Sequence, residues 1–302
     1  MTLGAAATGV ARSVRAEPSH SSARALAVAT PELTLHDLQL DTPAAKQRRR
    51  ALVLVPAHGP RARSYPALLL LHGRGEVGDE LIGIHAWRTR YGLADSYSRL
   101  RRPPLQLADD ETKFMRSEQL DALNAQLAAR PFEGMVMICP VTPNPAASAA
   151  PERVLDDYAR WIEDALLPAA RQVAALGPEA PIGIDGCSLG GYVAAEVFAR
   201  KPHLFQTFGA VQPAIGQFRV ARYAKALARA RNELDLAGIH LLSSTRDPYR
   251  DATEAWGREL ERLGARPTVQ VLPGPHDQSW LRAAGTPTLL EWHHRHLTMR
   301  QH

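Results

Sequence analysis

The sequence predicts an α/β protein with a mainly parallel central sheet and helices on both faces. Three observations carry this expectation. Short apolar runs bounded by Gly or Pro alternate with helical patterns through the second half of the chain. A Gly-x-Ser-x-Gly pattern, Gly186 to Gly190, stands where one such run meets a helix. At 302 residues, 45% hydrophobic and 22% charged, the chain is long enough to bury a sizeable core as one domain with insertions.

Residues 1–30 have the Ala, Ser and Arg content of a tail and are set apart from the folded body, residues 31–302. Within the tail, residues 3–11 are similar to the apolar end of an export signal whose basic start is missing. That reading favours an exported protein over a cytoplasmic one; an Ala-rich disordered terminus is the alternative. Strands are expected at 51–56, 67–72, 135–139, 182–185, 208–211, 239–243 and 268–272, the first two separated by a turn rich in Gly, Pro and Arg. Each is short and continuously apolar, as a strand covered on both faces should be. Helical patterns fill 151–176, 190–200, 251–263 and 286–297. Residues 82–130 contain no obvious strand and read as a helical and loop insertion near the C-terminal edge of the sheet.

The formal net charge is +5, but basic residues are interspersed with acids and Arg48-Arg49-Arg50 is the one run of three. Such a distribution is a solvated surface, with no patch for nucleic acid. No apolar run approaches the roughly 20 residues that span a bilayer, which argues against an integral membrane protein. Cys139 and Cys187 alone make neither a disulfide framework nor a zinc site. His293, His294 and His296 fall on the last helical pattern, where they are expected to face solvent; with no carboxylate pattern beside them, no metal site is expected.

Residues 182–192 join a short apolar strand to a helix through Gly186-Cys187-Ser188-Leu189-Gly190. At a sharp strand-to-helix turn the central Ser is exposed above the sheet, and glycines two positions to either side leave room for strand and helix to approach. Ser188 is therefore the candidate nucleophile, and the Leu189 amide at the helix N-terminus a candidate oxyanion donor. Cys187 reads as a small apolar filler. A second donor is expected from the turn after the strand that ends in Leu71-His72-Gly73-Arg74-Gly75, with the Arg74 amide as candidate and His72 as a brace for the loop.

The base should be a late His, because chain order in this arrangement is Ser, acid, His. His276 follows the 268–272 run in Pro273-Gly274-Pro275-His276-Asp277, a turn-rich loop suited to delivering it. The acid is expected after the preceding strand, where Asp247 lies; Asp251, the runner-up, reads as the N-cap of the helix that follows.

Leu71-His72-Gly73, Gly186-Cys187-Ser188-Leu189-Gly190-Gly191-Tyr192, Arg200-Lys201-Pro202-His203-Leu204-Phe205 and Pro273-Gly274-Pro275-His276-Asp277 with Trp280 together resemble the putative esterase family of the α/β-hydrolase fold, which includes esterase D-like, feruloyl and enterochelin-type enzymes. The resemblance covers about residues 65–297. It implies a serine esterase without cofactor, acting on a small-molecule ester, with Ser188, Asp247 and His276 as triad and Arg74 and Leu189 as oxyanion donors. Acyl transfer or peptidase chemistry on the same triad, or a non-catalytic binding protein on the same fold, are the alternatives. The interval 82–130 departs from the family pattern. Its position after the oxyanion loop makes it an expected cover for the site, with Trp87 and Tyr91 as expected substrate-binding residues.

Overall fold

The computed structural model describes residues 32–42, 48–58 and 65–299. The tail at 1–30 and the turn at 59–64 lie outside the described residues. Eight strands, β1 (Leu33–Asp41), β2 (Arg48–Pro56), β3 (Ala67–Leu71), β4 (Val136–Pro140), β5 (Ile182–Gly186), β6 (Thr207–Val211), β7 (Gly238–Arg246) and β8 (Thr268–Pro275), form one sheet in the order β1-β2-β4-β3-β5-β6-β7-β8. β2 pairs antiparallel with both β1 and β4. Every other pairing is parallel.

The central strands are mainly apolar because their side chains meet a helical layer on each face. Side chains alternate across a strand, so in β3 Leu69 and Leu71 enter one core and Leu68 and Leu70 the other. β4 divides in the same way, Val136 and Ile138 against Met137 and Cys139. Burying each such leucine contributes about 1.5–3 kcal/mol before entropy is counted, so neither face could be left wet. The first core is closed by α4 (Pro151–Trp161), α5 (Leu167–Val173), α6 (Leu189–Arg200), α7 (Gln217–Glu233) and α8 (Arg250–Arg262). The second is closed by α1 (Glu80–Thr89), α2 (Leu93–Leu100), α3 (Ser117–Ala129) and α10 (Thr286–Thr298), with the short α9 (Gln278–Trp280) at its rim.

All seven expected strands and the four expected helical regions are present, with altered ends. The region expected as one helix over 151–176 is divided by a π-helical turn, Ile162–Leu166, just before Pro168. Pro168 lacks the N–H that an unbroken α-helix would donate one turn back. Two elements were not expected. β1 has Leu33, Leu35 and Leu38 facing the core between polar neighbours, and α7 buries Val220, Tyr223, Ala224, Leu227 and Ala228 from an Arg-rich sequence.

Residues 82–130 touch the C-terminal edge at Tyr91, against Gly73, and at Phe114, beside Gly274, and otherwise pack on one face of the sheet. Their helices α1, α2 and α3 lie flat in the layer that also contains α10. Ile84 and Trp87 in α1, Leu93, Tyr97 and Leu100 in α2, each set at helical spacing, and Tyr91 between the two helices are all buried there.

Candidate functional site

Ser188 occupies the turn between β5 and α6 with φ 54° and ψ −117°, a left-handed conformation that costs a non-Gly residue on the order of 1–3 kcal/mol. The neighbouring strands hold it there. Cys187 N donates to Leu71 O at 3.1 Å and Ser188 N to Val211 O at 3.0 Å, while Ser188 O accepts from Ala214 N at 2.9 Å and Tyr192 N at 3.2 Å. The flanking glycines are needed for space. A Cβ on Gly190 would stand 2.1 Å from Leu71 O, and one on Gly186 would stand 2.4 Å from the backbone of Gly190. The Leu189 amide opens α6, so helix geometry gives it no acceptor within the helix. Cys187 is buried, and burial pushes its thiol above the usual range, which suits the filler expected of it.

Asp247 follows β7 and His276 follows β8. His276 Nδ1 lies 2.9 Å from Asp247 Oδ1, with the carboxylate side chain fully enclosed and the imidazole 25% exposed. The same Oδ1 accepts from Tyr249 N at 3.0 Å, and Oδ2 accepts from Ser243 Oγ at 2.6 Å. With Nδ1–H donated to the carboxylate, Nε2 is left as the basic nitrogen. The His loop is tied to the sheet from below: Pro275 O accepts from Gln212 Nε2 at 2.9 Å and Ser244 Oγ at 3.1 Å, and Gly274 N donates to Thr245 Oγ1 at 3.1 Å. Sequence reasoning missed Gln212, Ser243, Ser244 and Tyr249. One signal existed: two adjacent hydroxyls inside an apolar strand must find acceptors once buried.

Asp251 is exposed and pairs with Arg250 at 3.1 Å. It is not the N-cap: α8 begins at Arg250 behind Tyr249, which places Asp251 in the first turn.

His72 bridges the turn that follows β3, the candidate oxyanion loop. Its Nε2 accepts from Thr142 N at 2.9 Å, so Nδ1 carries the proton and donates to Gly73 O at 2.9 Å. Burial lowers the His72 pKa, which keeps this neutral tautomer. Gly73 C=O and Arg74 N–H belong to one trans peptide plane and point in opposite directions. Fixing the first therefore aims the second. The Gly73 amide is already committed, donating to Tyr91 Oη at 3.0 Å, which leaves Arg74 N as the loop's candidate donor.

Trp87 and Tyr91 are 0% and 2% exposed, so the expectation that they contact substrate is corrected to packing for Trp87 and loop bracing for Tyr91. His293 and His294 are also buried, contrary to expectation, because α10 is sandwiched between the sheet and α2–α3. His293 bridges Asp185 Oδ2 at 3.0 Å and Thr207 Oγ1 at 2.8 Å, and burial pushes Asp185 up to about 7 and His293 down to about 3. Among the described residues no cluster of His, Cys, Asp or Glu could hold a metal ion, and no helix is long and apolar enough to cross a membrane.

No family model matches the sequence, and no curated protein is similar to it at a significant level. Solved structures are similar in fold. A ferulic acid esterase aligns with TM-score 0.61 at 16% identity, covering 88% of this chain and 98% of the other. The S-formylglutathione hydrolase of Staphylococcus aureus aligns with TM-score 0.55 at 13% identity, covering 88% and 98%. A feruloyl esterase module from Clostridium thermocellum aligns with TM-score 0.58 at 12% identity, covering 92% and 93%.

Proposed function

The chain has the α/β-hydrolase fold. On that scaffold we propose that it is a serine hydrolase cleaving carboxylic esters through an acyl-enzyme. The observation that carries this reading is positional: the strained turn bearing Ser188 and the hydrogen-bonded Asp247–His276 pair follow the C-terminal ends of β5, β7 and β8. Ligands of open α/β sheets bind at that edge. The similarity to solved structures described as esterases supports an ester as the substrate class.

In this reading His276 Nε2 takes the proton of Ser188 Oγ as the oxygen bonds to the ester carbonyl carbon. The amides of Leu189 and Arg74 receive the developing oxyanion. Such a donor is worth about 2.7–4 kcal/mol in measured cases. The tetrahedral adduct expels the alcohol, which takes the proton back from His276 and leaves the acyl group on Ser188. Water then repeats the attack, giving a proton to His276; the second adduct expels Ser188 Oγ, which takes that proton back, and the carboxylic acid is released. Asp247 keeps Nδ1 protonated and stabilises the imidazolium in both halves.

The test is Ser188→Ala assayed on p-nitrophenyl acetate and butyrate. The rate should fall at least about a thousandfold while the thermal melt is unchanged. A fluorophosphonate should label Ser188 and leave Cys187 untouched. Retention of more than a few per cent of the rate rejects Ser188 as nucleophile.

A further inference from the structure

We propose that Glu76 is a positioning residue that couples the loop carrying the Arg74 amide to the loop carrying His276; the proposal rests on the hydrolase reading above. Glu76 is 3% exposed, yet three donors reach its carboxylate. Tyr91 Oη donates to Oε2, while Gln278 Nε2 at 3.2 Å and Arg90 at 3.3 Å donate to Oε1. Gln278 stands two positions after His276, and Glu76 two positions after Arg74. Burial, with the adjacent Cys187 and Glu76, keeps the Tyr91 phenol protonated. The result is one directed chain, Gly73 N–H to Tyr91 O–H to the Glu76 carboxylate, met from the other side by the Gln278 amide.

A carboxylate is a poor choice for stability alone. Desolvating it costs several kcal/mol, and well-packed apolar replacements of buried ionic groups are often neutral or stabilising. What it supplies, from the Arg74 turn itself, is one oxygen held by Tyr91 and a second reached by Gln278 from the His276 loop, which fixes the separation of turn and loop to hydrogen-bond tolerance. Hydrolysis needs that precision, because donor and base must stay within about 0.5 Å of productive geometry. Linked hydrogen bonds in a low-dielectric interior also polarise one another, which stiffens the chain further.

The test uses Glu76→Ala, Glu76→Gln, Gln278→Ala and the double variant Glu76→Ala/Gln278→Ala, with p-nitrophenyl acetate as substrate. Turnover is expressed per site titrated by fluorophosphonate, so unfolded protein does not count. Glu76→Ala should lower kcat on the order of 10²-fold with KM little changed, the signature of misplaced groups. Glu76→Gln, which retains one accepting oxygen, should recover part of that loss. Gln278→Ala should lower kcat in the parent but add little in the Glu76→Ala background. Unchanged kcat per titrated site with a lowered Tm would overturn the proposal, as would additive losses in the double variant. Should Glu76→Ala fail to fold, Tyr91→Phe removes two bonds of the chain and Gln278→Ala one, and each must show the same kcat-specific loss. A parent that is neither labelled at Ser188 nor active on the ester overturns the hydrolase reading and this proposal with it. An active parent with unaffected variants overturns the proposal alone.

Discussion

Asp247 offers His276 only one oxygen; Ser243 occupies the other, and both are shielded from water. Exchanging the carboxylate for an amide reverses what that position can accept and releases the imidazole tautomer. Asp247→Asn should therefore lower kcat on p-nitrophenyl esters by about four orders of magnitude. Asp251→Asn should leave kcat unchanged, because its exposed pair with Arg250 holds nothing at the site and such pairs contribute little. A large loss from Asp251→Asn would move the acid to that position. Ser188 and His276 were legible in sequence because each stands at a punctuated junction, Gly-x-Ser-x-Gly between strand and helix and Pro-Gly-Pro-His after a strand. Gln212 and Glu76 were not, since their partners lie on other elements and no local pattern marks a hydrogen bond that forms only when the fold assembles.

The elements were read best where both faces are covered. β3 to β7 are buried, mainly apolar runs with Gly or Pro at their ends, and each starts within a residue of expectation, as does the partly exposed edge strand β8 behind Pro267. β1 escaped notice because an edge strand mixes polar and apolar positions, and α7 because small residues between arginines form its buried face. For residues 82–130, position after the candidate oxyanion loop suggested a cover, but apolar periodicity decided the outcome: a helix with Ile84 and Trp87 on one side, followed by the buried Tyr91, is drawn to the sheet. Trp87→Ala should then cost about 3–5 kcal/mol of stability by urea melt. The ranking of p-nitrophenyl esters by chain length should survive; a changed ranking in a stable variant would restore Trp87 to the substrate site.

Across the whole molecule, burial leaves several imidazoles neutral in the folded state. His293 is pushed down to about 3, and His240 and His296 to about 4, from an ordinary 6.5. The unfolded chain therefore takes up protons that the folded chain refuses as pH falls from about 6.5 to about 4, and folding weakens across that window. Asp185 acts in the opposite sense: its acid, held up to about 7, stays protonated in the fold where it would ionise in the open chain. The lowered imidazoles, His72 among them, outnumber the raised carboxyls of Asp185 and Glu291. The urea midpoint should fall steadily on acidification from pH about 6.5, with a shallower slope in His240→Asn; a midpoint that rises would contradict the assignment. The backbone anchors at Ser188 have a consequence for how the chain matures. Leu71 and Val211, which hold the turn, arrive from strands far apart in sequence, and the strained turn cannot persist before both have docked. A nascent or truncated chain that has formed β5 and α6 but not β6 carries the serine without its reactive geometry. In the proposed hydrolase reading, such a chain lacks the backbone anchor that holds Ser188 for attack on an ester.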